Sequence, residues 1–540
     1  MAVNTMMKDF KAEKPKAQTA SQLLANLSRD FPGHEALVDG DTRYTFFSLW
    51  ADVRSFARGL LALGVKSGDH VAILMGNRAE WIVADMAVAS IGAVMASVST
   101  YVTGKELQYI LNHSDADFLI YEPSFMNYDY VKLLHEIGPL SEALPRLRGL
   151  IGLGNELYPG SVDFAEVYTR GKQVTEEELD AVMDAVVGTD TAALLYTSGS
   201  TSTPKGVQIA HGDAIGNMWH IGERMHIVPG DRFWCAVSLF WGFGCMNILY
   251  NAFTHAACVV LQRSFDAGEA LRMLEAEKCT VIYAFPNMVA AMMDHPDYSS
   301  SDLSALRTGG TGGTPEQIRT MMDMGAAEIC QLYGLTETYG NCAVVDGRND
   351  PLEKRLTTCG RPLPGAVVRI VDPESNTPKA IGEVGEIQVL KPVTPGYYKD
   401  EDKNREAFLD DGYFRTGDLG RIDEDGYLVF EGRLKDMIKV GGINVSPAEV
   451  ESVLMEDAAI AAAYVVAVPD EIRGEIVGAV VIPNNRSADR EALEAAMRAR
   501  MKADLSAYKR PSRYLFVSEA ELPLTTTGKV KRNEIFRLFD

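Results

Sequence analysis

Two apolar segments enclose a short loop of small hydroxyl residues near the middle of the chain. The segments are 192–195 and 207–210, and the stretch 196–206 reads YTSGSTSTPKG. Short apolar runs bounded by turn residues predict buried strands. The chain is therefore expected to form a strand, a Gly-containing loop and a second strand here.

The loop has the chemistry of a polyphosphate site. Its backbone amides can converge on one point, its hydroxyls add donors, and Lys205 adds a cation. It is not a Walker A loop, because Gly199 leads to Pro204-Lys205-Gly206 instead of a Gly-Lys-Ser/Thr run. A Ser/Thr-rich surface linker is the alternative, and motifs further along the chain favour the phosphate loop.

Length and charge exclude several classes of protein. With 540 residues, the chain is too long for one hydrophobic core, so several domains are expected. Its hydrophobic content of 46% and charged content of 23% are typical of soluble globular proteins. The net charge of −22 argues against a nucleic-acid partner. An anionic nucleotide must then be bound by local cations.

Cysteine usage and the N-terminus favour a cytoplasmic protein. The seven cysteines are dispersed without a CxxC pair, which indicates reduced thiols. Residues 1–20 lack an apolar core and contain no arginine, so they predict a flexible tail instead of a signal or transit peptide. The apolar stretch 82–98 contains Asp85 and is too short for an integral membrane segment.

The order of secondary-structure patterns predicts an α/β fold. Helical spacing at 46–63 and 79–91 alternates with apolar strands at 71–75 and 118–121, which favours parallel-rich sheets flanked by helices. The acidic segment 152–188 has a weaker pattern and is expected to connect two sheets. Beyond residue 365, short strands separated by Gly and Pro predict a small β-rich subdomain, followed from 436 by a small α/β domain.

Five further motifs follow the loop in one order along the chain. They are TGGTP at 311–315, YGLTE at 333–337, YFRTGDLG at 413–420, GRLKDMIKVGGINVSP at 432–447 and LPLTTTGK at 522–529. Together with 194–205, they resemble the adenylate-forming superfamily of acyl-CoA synthetases, carrier-loading adenylation domains and firefly-type luciferases. The resemblance extends from about 44 to 532, and within the superfamily the wording is nearest to the acyl-CoA synthetase branch. It implies an N-terminal adenylation domain at 21–434 and a mobile C-terminal domain at 435–540.

The resemblance implies a reaction that uses ATP, Mg²⁺ and coenzyme A. Glu337 and Thr201 would bind the metal, and Thr336 would place a hydroxyl at the α-phosphate. Lys529 would bridge the substrate carboxylate and the α-phosphate; its alternative is a solvated surface charge. The residues assigned to the ATP phosphates are Thr197, Ser198, Gly199, Ser200, Thr201 and Lys205.

The same resemblance assigns residues to the nucleoside. The adenine base would lie against Gly312, Gly313, Thr314, Tyr333 and Gly334, where missing side chains let the backbone approach a flat ring. Tyr333 has a core tyrosine as its alternative.

The ribose would be bound by Asp418, with Arg433 supporting it. Asp418 has a turn cap as its alternative. For thioester formation, Lys435 would be the pivot of the mobile domain, and the loop containing Lys439, Gly441 and Gly442 would admit the pantetheine arm of CoA.

The stretch 238–244, SLFWGFG, departs from the pattern of many relatives, which have histidine where Trp241 stands. Trp241 would be a wall of the acyl pocket or a plain core aromatic. The residues assigned to the pocket are Trp241, Gly242, Phe285, Met288 and Tyr339. They favour an apolar fatty or aryl acid over an amino acid.

The leading hypothesis is an ATP-dependent acid–thiol ligase that makes an acyl-AMP and then an acyl-CoA. The alternative is a stand-alone adenylation enzyme that loads an acyl-carrier protein. A luciferase-like oxidase and a catalytically silent nucleotide-binding protein are less consistent with the motifs. The expected partners are small molecules, and a homodimer is left open.

Overall fold

A computed structural model represents the protein in two compact units. The first contains Met1–Val368 and Val389–Phe414, and the second contains Arg369–Gln388 and Arg415–Asp540. This division differs from a single boundary at 434, which stays a prediction. The structure describes residues 13–197, 204–440, 443–470, 474–484, 489–524 and 530–539.

The first unit is built from short strands and helices in near alternation. Its strands are β1 (Glu35–Asp39), β2 (Thr42–Thr45), β3 (His70–Leu74), β4 (Val94–Ser97), β5 (Ala116–Tyr121), β6 (Ser124–Phe125), β7 (Tyr128–Asp129), β8 (Gly149–Gly152), β9 (Val162–Asp163), β10 (Thr191–Thr197), β11 (Lys205–Ala210), β12 (Arg232–Cys235), β13 (Cys258–Leu261), β14 (Val281–Tyr283), β15 (Thr308–Thr311), β16 (Glu328–Tyr333), β17 (Ala343–Val344) and β18 (Arg361–Pro362). Its helices are α1 (Ala20–Asp30), α2 (Phe46–Ala62), α3 (Ala79–Ser90), α4 (Gly104–His113), α5 (Tyr130–Ile137), α6 (Leu140–Ala143), α7 (Phe164–Gly171), α8 (Glu176–Asp184), α9 (His211–Arg224), α10 (Gly242–Gly244), α11 (Asn251–Thr254), α12 (Ala267–Ala276), α13 (Pro286–Met293), α14 (Pro315–Asp323), α15 (Leu352–Thr357) and α16 (Glu401–Ala407).

Two large sheets organise this unit. One has the order β18-β17-β16-β15-β14-β12-β13-β1-β2, and the other has the order β11-β10-β4-β3-β5-β8-β9. The neighbours from β16 to β1 and from β10 to β9 are all parallel. The predicted α/β class with parallel-rich sheets is confirmed.

Helix α3 packs against strands of both sheets and is buried along almost its whole length. Such a helix needs apolar residues on every side, and its sequence AEWIVADMAVAS has them apart from Glu80, Asp85 and Ser90. Asp85 is 3% exposed, and burial raises the pKa of its carboxyl to about 7. Its Oδ2 atom has no hydrogen-bond partner among the described residues.

The expectation that 152–188 connects two sheets is wrong, because the segment joins β8 to β10 of the same seven-stranded sheet. The segment is also more ordered than its pattern indicated. Residues 152–188 contain β9, α7 and α8, and α7 packs against α2. Helix α8 begins with a capping box in which Thr175 and Glu178 satisfy each other's backbone amides. The acidic composition concealed a helix with only two fully buried side chains, Leu179 and Met183.

The second unit contains a four-stranded sheet and a five-stranded sheet. The first has the order β19-β20-β21-β22, and the second has β24-β23-β26-β25 with β27 parallel to β26. The elements are β19 (Val367–Val371), β20 (Gly385–Lys391), β21 (Phe414–Ile422), β22 (Leu428–Arg433), β23 (Ile438–Val440), β24 (Ile443–Val445), β25 (Ile460–Asp470), β26 (Gly474–Pro483), β27 (Arg513–Phe516), α17 (Pro447–Met455), α18 (Arg490–Asp504) and α19 (Arg532–Ile535). The β-rich region and the α/β C-terminal region expected beyond 365 are both present. In the described ranges, no helix combines the length and the apolar character needed to cross a bilayer.

The buried carboxyl of Asp85 makes stability depend on pH. The folded-state pKa of Asp85 is about 7, above the ordinary 3.8, so the folded protein binds the proton more tightly than the unfolded chain. The stabilisation that this proton gives is fully present below pH 3.8 and is lost as pH rises to 7. The loss is about 1.4 kcal/mol per pH unit in this interval. We expect the free energy of unfolding of the parent to fall relative to Asp85→Asn between about pH 5 and about pH 7, measured by urea denaturation.

The exposed substitution Asp41→Asn, in the turn between β1 and β2, is the control for this measurement. A stability difference between the parent and Asp85→Asn that stays constant with pH would contradict the prediction.

Candidate active site

The hairpin of β10 and β11 brings the two ends of the phosphate loop together. The strands are antiparallel, and Thr197 pairs with Lys205 in their register. Both residues are half-buried. The predicted phosphate residues Ser198, Gly199, Ser200 and Thr201 lie outside the described residues.

A tyrosine that the sequence analysis missed connects Lys205 with Glu337. The Nζ atom of Lys205 lies 4.7 Å from the centre of the Tyr397 ring, a cation–π contact. The Tyr397 hydroxyl donates a hydrogen bond to Glu337 Oε1 at 2.7 Å. Burial, followed by the charge of Glu337, raises the pKa of Tyr397, so it remains a proton donor at neutral pH.

The segment around Tyr397 is attached to the hairpin by backbone hydrogen bonds. The Tyr398 amide donates to Gly206 O at 2.8 Å, and the Gln208 amide donates to Gly396 O at 3.1 Å. The Thr394 amide also donates to the backbone oxygen of Glu337 at 2.7 Å. The sequence signal for this segment was a Pro-Gly turn directly before two tyrosines, in a loop rich in small residues.

Glu337 lies on a tight turn after β16. Thr336–Thr338 forms one 3₁₀ turn, and Glu337 is 7% exposed. The buried side chain of Asn217 donates to the backbone oxygens of Tyr339 at 2.8 Å and Asn341 at 2.7 Å. These two bonds hold the turn from inside the core. Asn217 was not predicted as a site residue, because a single asparagine on a helix has no distinguishing pattern.

Position 334, a predicted adenine-binding residue, requires glycine for a steric reason. A Cβ atom on Gly334 would overlap the backbone of Gly340 and Asn341. The two ends of the turn therefore approach as closely as backbone allows.

The loop that contains Trp241 lies beside Thr336. A Cβ atom on Gly242 would stand 3.4 Å from Thr336 Oγ1, so these two residues of different motifs are neighbours. The buried Asn77 side chain supports the loop, because its Oδ1 accepts the Leu239 amide at 2.9 Å. Trp241 is half-buried with its ring 5.0 Å from that of Phe240.

The backbone after Trp241 is unusual. Cys245–Tyr250 forms a π-helix between the short helices α10 and α11, and all six of its residues are buried. Such segments are rare and occur frequently at functional sites.

The other predicted pocket residues are less uniform. Phe285 stacks on Phe243 with ring centres 5.2 Å apart, which places it near the Trp241 loop. Met288 is 6% exposed and belongs to a separate core cluster. Tyr339 is fully buried, and its hydroxyl accepts the Ala210 amide at 3.4 Å. The acyl-pocket role of these residues stays a prediction.

The predicted adenine residues follow β15 and end β16. Gly312 is exposed, and no described atom lies within 4 Å of an ideal Cβ there, so the backbone is open to a ligand. Gly313 is also exposed, but Gln317 Oε1 would stand 2.7 Å from its Cβ. Thr314 caps α14 through a capping box with Gln317. Tyr333 is buried at the end of β16.

In the second unit, Asp418 and Arg433 face each other. They are paired in the register of β21 and β22, and Arg433 Nε lies 3.3 Å from Asp418 Oδ1. The Asp418 side chain is buried, whereas that of Arg433 is 51% exposed. The pair combines a carboxylate and a guanidinium, groups suited to a sugar diol.

The predicted CoA and hinge residues lie further along this unit. Lys435 is in the single 3₁₀ turn Leu434–Asp436, and Lys439 is exposed on β23. Gly441, Gly442 and Lys529 lie outside the described residues.

Comparison with known proteins identifies the family. The model for AMP-binding enzymes matches residues 24–398, and the model for the C-terminal domain of AMP-binding enzymes matches residues 449–529. The chain belongs to the AMP-binding enzymes. The family predicted from the motifs is confirmed, and the relatives lie in its acyl-CoA synthetase branch.

Relatives of this AMP-binding enzyme cover almost its full length. The putative acyl-CoA synthetase YngI of Bacillus subtilis is 34% identical over 96% of both chains. The mitochondrial medium-chain acyl-CoA ligase ACSF2 of Danio rerio is 30% identical over 96% of this chain and 88% of its own. The crystal structure of the anthranilate CoA ligase AuaEII with anthranoyl-AMP is 27% identical, with a TM-score of 0.84 over 97% of this chain and 98% of that one.

Tyr397 should matter for activity through its hydroxyl. Tyr397→Phe keeps the ring against Lys205 and removes the donor to Glu337, and a hydrogen bond to a charged group contributes about 1.5–3 kcal/mol. We expect kcat/KM for ATP to fall about tenfold or more, measured by ATP turnover in the variant and the parent.

The control is Tyr44→Phe, which removes a hydrogen bond of 2.9 Å from tyrosine to Asp52 Oδ2 elsewhere in the same unit. Equal rates for Tyr397→Phe and the parent would show that the contact to Glu337 has no part in catalysis.

Proposed function

We propose that this AMP-binding enzyme activates an apolar carboxylic acid, fatty or aryl, as acyl-AMP and transfers the acyl group to coenzyme A. The observation that carries the proposal is the convergence of Lys205, Tyr397, Glu337 and Thr336 beside the Trp241 loop. A medium-chain acyl-CoA ligase among the relatives supports a fatty acid, and an anthranilate CoA ligase among the similar structures supports an aryl acid.

In the first step, a carboxylate oxygen attacks the α-phosphorus of ATP, and the bond from this phosphorus to pyrophosphate breaks. Both reactants are anions, so the protein must supply positive charge and donors that are already in place. Lys205 would bind the departing phosphates, and the Thr336 hydroxyl would donate to the α-phosphate. Lys529 would neutralise the charge between the carboxylate and the α-phosphate.

The residues at Glu337 fit a magnesium ion. Mg²⁺ commonly takes one or two protein carboxylates together with substrate phosphate oxygens. Glu337 offers a buried carboxylate whose Oε1 is oriented by Tyr397. In the described residues, no cluster of three or more His, Cys, Asp or Glu side chains competes for a metal. When bound, Mg²⁺ would offset phosphate charge during the displacement.

In the second step, the thiol sulfur of CoA attacks the acyl carbonyl, and the bond to AMP breaks. The glycines at 441 and 442 would let the pantetheine arm pass close to backbone. Asp418 and Arg433 would hold the ribose in both steps. Lys435 stays the proposed pivot between the two half-reactions.

We also propose a cytoplasmic location. All seven cysteines are free thiols, which is consistent with a reducing compartment. A homodimer stays a proposal, and light scattering of the purified protein tests it by measuring the molar mass in solution.

The function is tested with a panel of carboxylic acids scored by exchange of labelled pyrophosphate into ATP. We expect exchange that depends on the acid and occurs without CoA, and release of AMP when CoA is added. Apolar fatty or aryl acids should be preferred over amino acids. ADP as the nucleotide product would overturn the proposal, and acyl transfer to a carrier protein but not to CoA would favour the alternative adenylation enzyme.

Trp241 should determine which acids are accepted. Trp241→Ala would open a wall of the pocket, and each newly buried methylene contributes about 0.8 kcal/mol, or about fourfold in kcat/KM. We expect the preference to move toward longer or bulkier acids, measured as kcat/KM across a graded series.

The matched control is Trp50→Ala, which removes another half-buried tryptophan, on α2. If Trp241→Ala lowers all rates together without changing the ranking of acids, Trp241 is core packing instead of a pocket wall.

A further inference from the structure

Helix α4 presents two side chains to the β10–β11 hairpin. The hydroxyl of Tyr109 donates to the backbone oxygen of Pro204 at 3.1 Å. The Nδ1 atom of His113 lies 2.8 Å from the hydroxyl of Tyr196. Residues four apart on a helix lie on one face, so Tyr109 and His113 reach the hairpin from the same side.

The two contacts are placed at both ends of the predicted phosphate loop. Tyr196 directly precedes Thr197, and Pro204 directly precedes Lys205. Thr197 and Lys205 are themselves paired across the hairpin. Because Tyr196 and Pro204 are held by α4, Thr197 and Lys205 are limited in how far they can move apart.

The anchoring side chains are well packed. The rings of Tyr109 and His113 stack with centres 5.3 Å apart, and His113 meets the Tyr196 ring edge-on at 5.8 Å. The start of α4 is closed by a capping box between Thr103 and Glu106. The helix therefore offers a rigid base, since both its first turn and its last turn are held.

The chemistry of His113 suits a hydrogen bond to a phenol. Burial lowers the pKa of His113, and the nearby ammonium groups of Lys399 and Lys403 lower it further. The carboxylates of Asp400 and Asp115 act in the opposite direction. A neutral imidazole can accept a hydrogen bond from the Tyr196 hydroxyl at Nδ1. The Tyr196 phenol also keeps its proton, because burial raises its pKa.

We propose that Tyr109 and His113 are positioning residues that hold Thr197 and Lys205 where they bind the phosphates of ATP. This inference rests on the proposed function, since it takes ATP as the ligand of the hairpin. Neither residue needs to touch the nucleotide. They raise the fraction of molecules in which the Lys205 ammonium group and the Thr197 hydroxyl already have the spacing that ATP requires. The affinity for ATP therefore depends on them, whereas the affinity for the acid does not.

The experiment compares Tyr109→Phe, His113→Phe and the parent in the full-length protein. Each variant keeps a ring for stacking and loses one hydrogen bond to the hairpin. We expect the Kd for ATP, measured by calorimetry without acid, to rise about fivefold in each, which corresponds to about 1 kcal/mol. The KM for the acid should stay within twofold of the parent, and His113→Asn, which keeps a polar atom near the position of Nδ1, should recover most of the ATP affinity.

Tyr121→Phe is the matched control. It removes hydrogen bonds between a buried tyrosine hydroxyl and Ser161 and the Tyr158 amide, away from the hairpin, and should leave the Kd for ATP unchanged. An unchanged Kd in both Tyr109→Phe and His113→Phe would overturn the inference while the proposed function stands. Equal increases for ATP and acid, or no recovery in His113→Asn, would overturn it as well, because they indicate general loss of structure. A parent protein that binds no ATP would overturn the proposed function and the inference with it.

Discussion

The hydrogen bond from Tyr397 to the buried carboxylate of Glu337 connects three segments that are far apart in the chain. A buried charge is stable only where donors or cations surround it, so the position of Glu337 depends on Tyr397. The same ring faces Lys205, and its backbone neighbours are hydrogen-bonded to the hairpin strand β11. A shift of any one segment would leave either the carboxylate or the ammonium group without its partner. The positions of these three segments therefore depend on one another.

Loops of the candidate site follow the carboxyl ends of strands in one sheet. The turn of Glu337, the loop of Trp241 and the exposed Gly312 follow the carboxyl ends of β16, β12 and β15, respectively. In open α/β sheets, ligands bind beyond the carboxyl ends of the strands. Two buried asparagines then fix the loops, since Asn217 holds the Glu337 turn and Asn77 holds the loop before Trp241. Polar bonds inside an apolar core tolerate few alternative geometries, so they place loop residues more accurately than packing alone.

Much of the fold could be predicted from the sequence, because strong patterns act locally. The strand predicted over 71–75 is observed as His70–Leu74, and the helix predicted over 46–63 is observed as Phe46–Ala62. Helix α8 was missed because most of its side chains are exposed, which leaves little apolar periodicity to detect. Strand β5 was predicted as 118–121 and extends over Ala116–Tyr121, since its pairing with β3 begins at Ala116.

The sequence by itself determined the family and the α/β class. Its motifs also predicted Lys205, Glu337, Asp418 and Arg433 as site residues, because the chemistry requires these residue types. Only the tertiary structure decided which residues support them. Tyr397, Asn217, Tyr109 and His113 make hydrogen bonds to partners distant in the chain, and such contacts leave no local pattern. The tertiary structure also shows that Tyr339 is fully buried and that Gly242 is a neighbour of Thr336. The physical reason is that burial depends on packing between residues distant in the chain, whereas a motif consists of residues that are neighbours in the sequence.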